Sequence, residues 1–254
     1  MTTWTAASLL AEIAAIGRNE DGSYSRFCLR PEEVALREWF VAKATELGLA
    51  IVTDANANIW AWWGTPGPDA VLTGSHLDSV PGGGAYDGPL GVVSSLVAVA
   101  KMQEAGIMPA KPFAVVAMAD EEGARFGMPC LGSRLASGKL SKAEAHTLVA
   151  RDGQSLPDAW REAGLNPDLM VPTTFCLRHP ALLNCTLSKG EVWRMWDTRS
   201  QLPPRYDHMD VGVPSSPARE TTPERPSYPI VMTRSSRWRR PYWQPGRQQN
   251  ARVA

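Results

Sequence analysis

Hydrophobic and polar positions change their period several times along the chain, and each change predicts an element. Leu9, Leu10, Ile13 and Ile16 recur at helical spacing, with Gly17 placed to stop the helix. PEEVALREWFVAKATELG (31–48) predicts a second helix: Pro31 stands near its start, acids fill its first turn and Gly48 follows its end. LAIVTD and ANIWAWW read as strands, followed by a TPGPD turn at 65–69. AVLTGSH (70–76) is a short apolar run that ends polar, the pattern of a buried parallel strand. GPLGVVSSLVAVAKMQEAG (88–106) predicts a helix apolar on most faces and therefore well buried. KPFAVVAMADEEG (111–123) is a further buried strand, ending in three acids.

Strand, helix and strand in this order predict a parallel βαβ unit, so residues 1 to about 175 read as an α/β enzyme domain with a mostly parallel sheet. The two strands would bring His76 and Asp120–Glu122 to one carboxyl edge, where open α/β sheets place their sites. From about residue 176 the pattern stops. Residues 191–254 hold eleven Arg and no Lys, nine Pro and four Trp, and no window shows apolar periodicity. RSSRWRRPYWQPGRQQNARVA has the composition of a basic, aromatic nucleic-acid-binding tail, but a disordered or non-native tail is the preferred reading.

Composition narrows the picture further. With 254 residues, 44% of them hydrophobic, the chain can bury a core of ordinary size. Its formal charge of +0 gives no general signal for nucleic acid or an acidic surface. No apolar run reaches the length of a membrane span, and the N-terminus lacks the basic region of a signal peptide. A cytoplasmic chain with no membrane or nucleic-acid partner is expected. Cys28, Cys130, Cys176 and Cys185 show no CxxC spacing and are expected to be reduced and structural.

The candidate chemistry lies in GSHLDSVPGGGAYDGPLG (74–91) and in the DEE run. Imidazole and carboxylates suit Zn²⁺ or a similar divalent ion. Asp78, two residues after His76 on an extended backbone, can fix the tautomer of that imidazole. Asp87 lies at the mouth of a glycine-rich loop before a helix, where a carboxylate can bridge two metals. Two ions about 3.5–4 Å apart would polarise a carbonyl and activate water. Glu121 and Glu122 are adjacent and cannot point the same way, so one can ligate while the other acts as general base. Taken singly, each feature has a plainer reading: a hydrogen-bonded histidine, a solvated acidic loop, a flexible turn.

GSHLDSVPGGGAYDG, DEEGARFGMPCLGSR (120–134) and the D-G-x-S-L motif at 152–156 resemble the M20-type metallopeptidase superfamily. Within it they are most similar to the hydantoinase/carbamoylase amidases, such as N-carbamoyl-L-amino acid hydrolases, allantoate amidohydrolases and β-ureidopropionases. The resemblance covers about residues 8–170. It implies a metallopeptidase-like catalytic domain and hydrolysis of a linear ureido or amide C–N bond with two divalent metals, zinc first, with manganese, cobalt or nickel as alternatives. By position it makes His76 a ligand of one metal, Asp87 the bridge, Glu122 a ligand of the other and Glu121 the base, with Asp78 orienting His76. An M20 aminoacylase or dipeptidase is the alternative within the superfamily. A non-enzymatic fragment whose basic tail binds partners is the alternative outside it.

The resemblance also implies features that are not recognisable here. The family carries a lid and dimerisation domain, a substrate-contacting motif close to ELHIEQG whose His is a metal ligand, and a later ligand His. His146, His179 and His208 stand in no matching context, and no substrate-binding residue is assigned. The ELHIEQG motif is expected near LLNCTLSKG. If Leu183 to Gly190 are encoded TTG AAC TGC ACA TTG AGC AAG GGG, reading from the third base gives GAA CTG CAC ATT GAG CAA GGG, which is ELHIEQG. The expectation is therefore a partial catalytic domain over 1–175, a change of frame at about 172–180 and an out-of-frame tail over 176–254. Such a chain would lack the lid, hold its metals doubtfully and have little or no activity.

Overall fold

The first predicted helix forms as α1 (Ala6–Glu12), because Thr5 and Ser8 cap each other across its first turn. The structure is a computed structural model that describes residues 4–67 and 69–172, and the backbone of 182–184. Beyond α1, the buried Arg26 guanidinium donates to the Ile13 and Ile16 carbonyls (3.1 and 2.9 Å) as the chain turns away. Helix α2 (Pro31–Glu46) starts on Pro31 with Glu32 and Glu33 in its first turn, as its sequence predicts. Inside it, Glu33 and Arg37 form a buried ion pair one turn apart, at 2.7 Å.

Strands β1 (Ala50–Thr53) and β2 (Ile59–Trp63) pair antiparallel, from Ala50 opposite Trp62 to Thr53 opposite Ile59. The Asp54 carboxylate shapes the turn between them by accepting the Asn56 and Asn58 backbone N–H groups, the Asn58 side chain and the Trp60 indole. Strand β3 (Val71–His76), helix α3 (Pro89–Glu104) and strand β4 (Phe113–Met118) form the expected βαβ unit. β3 and β4 run parallel, with His76 opposite Met118, so both end at the same edge. Val92, Val93, Leu96 and Val99 of α3 are completely buried. Each such side chain contributes about 1.5–3 kcal/mol relative to exposure, which holds the unit together.

After β4 come three short helices, α4 (Leu131–Ala136), α5 (Lys142–Ala145) and α6 (Leu156–Glu162), then a 3₁₀ turn at Pro167–Leu169. They enclose a separate cluster that includes Phe126, Leu131, Leu135, Leu156 and Trp160. Strand β5 (Leu182–Asn184) pairs parallel with β3, Gly74 opposite Asn184, and completes a mixed sheet of order β1-β2-β4-β3-β5. The α/β class and the mixed sheet follow the sequence expectation, but the sheet is not mostly parallel: β1–β2 and β2–β4 pair antiparallel, because β1 and β2 form a hairpin, and only β3–β4 and β3–β5 pair parallel. Residues 182–184 depart from the irregular tail expected there, because their backbone hydrogen-bonds along the outer edge of β3. The rest of the expected tail, 185–254, and residues 173–181 lie outside the described residues. Every described residue falls in the first of two units, Met1–Pro204. Among the described residues, no helix is long and apolar enough to cross a membrane.

Candidate metal centre

The carboxyl edge of β3 and β4 gathers the predicted residues. His76 ends β3, Asp78 lies two residues on, Asp87 precedes α3, and Asp120, Glu121 and Glu122 follow β4. One ligand atom each from His76, Asp87 and Glu122 lie within 4.8 Å of one another. Glu121 is part of the same cluster, its Oε2 3.5 Å from His76 Nε2, while Asp87 Oδ1 stands 3.9 Å from that nitrogen. His76 is fully buried, and its Nε2 has no hydrogen-bond partner among the described residues. A buried, unpartnered ring nitrogen facing carboxylates is the donor set that a divalent cation requires. The residues present therefore fit a metal.

Backbone geometry sets this edge. Gly88 has φ +81°, and a Cβ on it would lie 2.6 Å from the His76 ring, so glycine lets the loop carrying Asp87 close over the imidazole. The acidic turn begins with Asp120 in the left-handed region, φ +47°, where the chain leaves the extended backbone of β4. Asp78 serves both strands. Its backbone carbonyl lies 3.0 Å from His76 Nδ1, and its carboxylate lies 3.5 Å from the same nitrogen. The two carboxylate oxygens accept the N–H groups of Glu121 and Glu122, at 3.1 Å each. Asp78 thus contacts both the His76 ring, where an orienting role is expected, and the acidic turn, a contact that the sequence did not reveal.

The electrostatics show an excess of negative charge. Burial disfavours an imidazolium, yet Asp78, Glu121 and Glu122 outweigh it and push His76 up to about 10 in the metal-free protein. Burial, with Asp87, Glu121 and Asp78 adding repulsion, raises Glu122 to about 7. Glu121 is raised by burial first and then by Asp78 and Asp87. Asp120, also fully buried, is raised to about 8 by burial and Asp78. The Arg125 and Phe126 amides hold it down somewhat, although neither closes a hydrogen bond to its carboxyl group. Cys130 lies 3.8 Å from Glu121 Oε1, and its thiol is pushed up to about 11 by burial and that glutamate.

Two other sequence features fall away from this cluster. His146 Nε2 lies 3.1 Å from the Pro167 carbonyl, at the end of α5. His179 and His208 lie outside the described residues, as does LLNCTLSKG apart from the backbone of Leu182–Asn184. The 152–156 motif is architectural, since Ser155 caps α6 and Asp152 pairs with Arg30.

The chain's comparisons with known proteins agree with the chemistry of this edge. Residues 58–171 match the model of Peptidase family M28. An N-carbamoyl-L-amino acid amidohydrolase of Geobacillus stearothermophilus is 40% identical over 161 residues, 63% of this chain and 39% of the relative. A ureidoglycolate hydrolase of Arabidopsis thaliana is 33% identical over 208 residues, 80% of this chain and 42% of the relative. The crystal structure of a hydantoinase/carbamoylase family amidase from Burkholderia ambifaria superposes with a TM-score of 0.61 at 32% identity, over 66% of this chain and 42% of that one. The chain spans about two fifths of the length of the curated relatives it matches.

Proposed function

From the similarity of its N-terminal part to the hydantoinase/carbamoylase amidohydrolases, we propose that this carboxyl edge is one side of a two-metal site for hydrolysing a linear ureido or amide C–N bond. The substrate class is N-carbamoyl amino acids and related ureido acids. The observation that carries the reading is the buried, unpartnered His76 Nε2 among the carboxylates of Asp87, Glu121 and Glu122. His76 would hold one ion, Glu122 the other, and Asp87 both. Zinc is the first choice, with manganese, cobalt and nickel as alternatives. When bound, the ions supply carbonyl polarisation and a water of lowered pKa. Glu121 takes a proton from the attacking water and returns it to the leaving nitrogen, a task suited by its raised proton affinity. Asp78 keeps the imidazole and the acidic turn in register. The reading places the protein in the cytoplasm.

We propose further that residues 1–175 are a partial catalytic domain and that 176–254 are read in a shifted frame. The support is the ELHIEQG reading beneath Leu183–Gly190 and the Arg-rich, Lys-free composition after residue 190. Without the histidines expected downstream, each metal lacks a protein ligand, so little or no turnover is expected. The test is to sequence the nucleotides over 183–190, restore the frame, and measure ammonia release from N-carbamoyl-L-amino acids with Zn²⁺ or Mn²⁺. The proposal expects ELHIEQG in the shifted frame and activity only after restoration. A different nucleotide sequence would defeat the frame reading. A restored enzyme that cleaves dipeptides or acylated amino acids instead would defeat the substrate reading.

A further inference from the structure

Glu121 and Glu122 sit on a loop that leaves the end of β4 at Ala119 and enters α4 at Leu131, with Gly132 in the first turn of that helix. Its two arms are laced together: Gly132 N–H donates to Ala119 O (2.8 Å), Leu131 to Asp120 O (3.1 Å) and Cys130 to Glu121 O (2.7 Å). At the base of this ladder lies one side chain from a distant turn. Asn58 Oδ1 accepts the Ala119 N–H at 3.0 Å, and Asn58 Nδ2 donates to the Gly132 carbonyl at 3.1 Å. The second Nδ2 proton goes to Asp54 Oδ2 at 3.0 Å. Asn58 is completely buried.

We propose that Asn58 is a positioning residue for the acidic turn, its amide pinning both arms of the 119–132 loop and so fixing where Glu121 and Glu122 stand. The contact demands an acceptor and a donor side by side, which an amide offers and a carboxylate does not. The fit is also close: a Cβ on Gly132 would lie 2.1 Å from Asn58 Oδ1 and 2.8 Å from Ala119 N, so the loop rests directly on the amide. Asp54 holds Asn58 in turn, which makes the β1–β2 turn part of the support for the carboxyl edge. From the opposite side, Asp78 accepts the Glu121 and Glu122 N–H groups. The loop is therefore gripped twice, at its base by Asn58 and further along its first arm by Asp78. The proposal concerns the loop's placement. Its effect on a metal rests on the function proposed above.

Hydrogen exchange measured by mass spectrometry on the full metal-free chain tests it. N58D keeps the size and the acceptor for Ala119 but removes both donors and sets a carboxylate against the Gly132 carbonyl. G132A disturbs the same contact from the loop side. In both variants, exchange across 119–132, including the Glu121 and Glu122 amides, should quicken about tenfold or more, with α2 and α3 changing less than about twofold. Unchanged exchange in the loop, or equal acceleration in α2, α3 and the loop, overturns the proposal. A Co²⁺ titration followed by its visible spectrum provides the second arm. N58D should weaken binding by about tenfold or more. Equal Co²⁺ affinity and spectrum in wild type and N58D overturn the positioning role. A wild-type chain that binds no Co²⁺ defeats the proposed metal site, while the exchange result still decides what Asn58 does to the loop.

Discussion

Two buried clusters of charge in this molecule have opposite electrostatics. In α2, Glu33 and Arg37 are 1% and 9% exposed, and both carboxylate oxygens lie 2.7 Å from Arg37 Nε. The Ala57 carbonyl and Leu29 N–H take up further hydrogen-bonding capacity, so one positive group meets one negative group. At the carboxyl edge, the imidazole of His76 faces Asp78, Asp87, Glu121 and Glu122, with Asp120 buried beside them. The first cluster is complete in itself. The second carries surplus negative charge and a nitrogen with no hydrogen-bond partner among the described residues, and a cation would complete it.

The largest effect should come from the group that distinguishes the second cluster. H76A should lower divalent-cation affinity by more than about 100-fold, seen by calorimetry, because it removes a ligand rather than a supporting contact. The complementary change, E33A, should leave cation affinity of the folded protein unaltered. It strands Arg37 without its buried partner and should lower unfolding free energy by about 3–5 kcal/mol in a denaturant titration.

D120N should be smaller and of opposite sign. In the metal-free protein the Asp120 carboxyl is raised from 3.8 to about 8, so the unfolded chain gives up a proton that the folded chain keeps. Its contribution to stability therefore falls as pH rises from about 4 to about 8. D120N should flatten that slope and raise the stability of the metal-free protein near neutral pH, because an amide stays neutral without taking up a proton. Denaturant midpoints across this pH range check it. The smallest signal is protonic: with His76 up to about 10, cation binding at neutral pH must displace its proton. The binding heat should consequently vary with the ionisation enthalpy of the buffer.

The two clusters were not equally legible in the sequence. The βαβ unit could be read because its strands are short apolar runs and its helix is long and apolar, and His76 and the acids could be placed because they end those elements. Helices α4 to α6 span only 4–7 residues each, too few for a period to emerge. The Asn58 contacts reach 61 and 74 residues along the chain, and the Asp78 clamp reaches 43 and 44. Nothing local in DANAN or SHLDS announces those partners, because the sheet must first bring them together. Glu33 and Arg37 stand one helical turn apart in the sequence, but nothing local marks them as a buried pair, which forms only when Arg37 reaches the Ala57 carbonyl.

The most direct test is metal content by mass spectrometry, measured on wild type and H76A after zinc loading and desalting, with N-carbamoyl amino acid hydrolysis assayed on the same samples. Zinc retention should depend on His76, with fewer than two tightly held ions per chain and little or no turnover. Retention unaffected by H76A would contradict the metal centre, and two tightly held ions with full turnover would contradict the claim that this edge is only one side of the site.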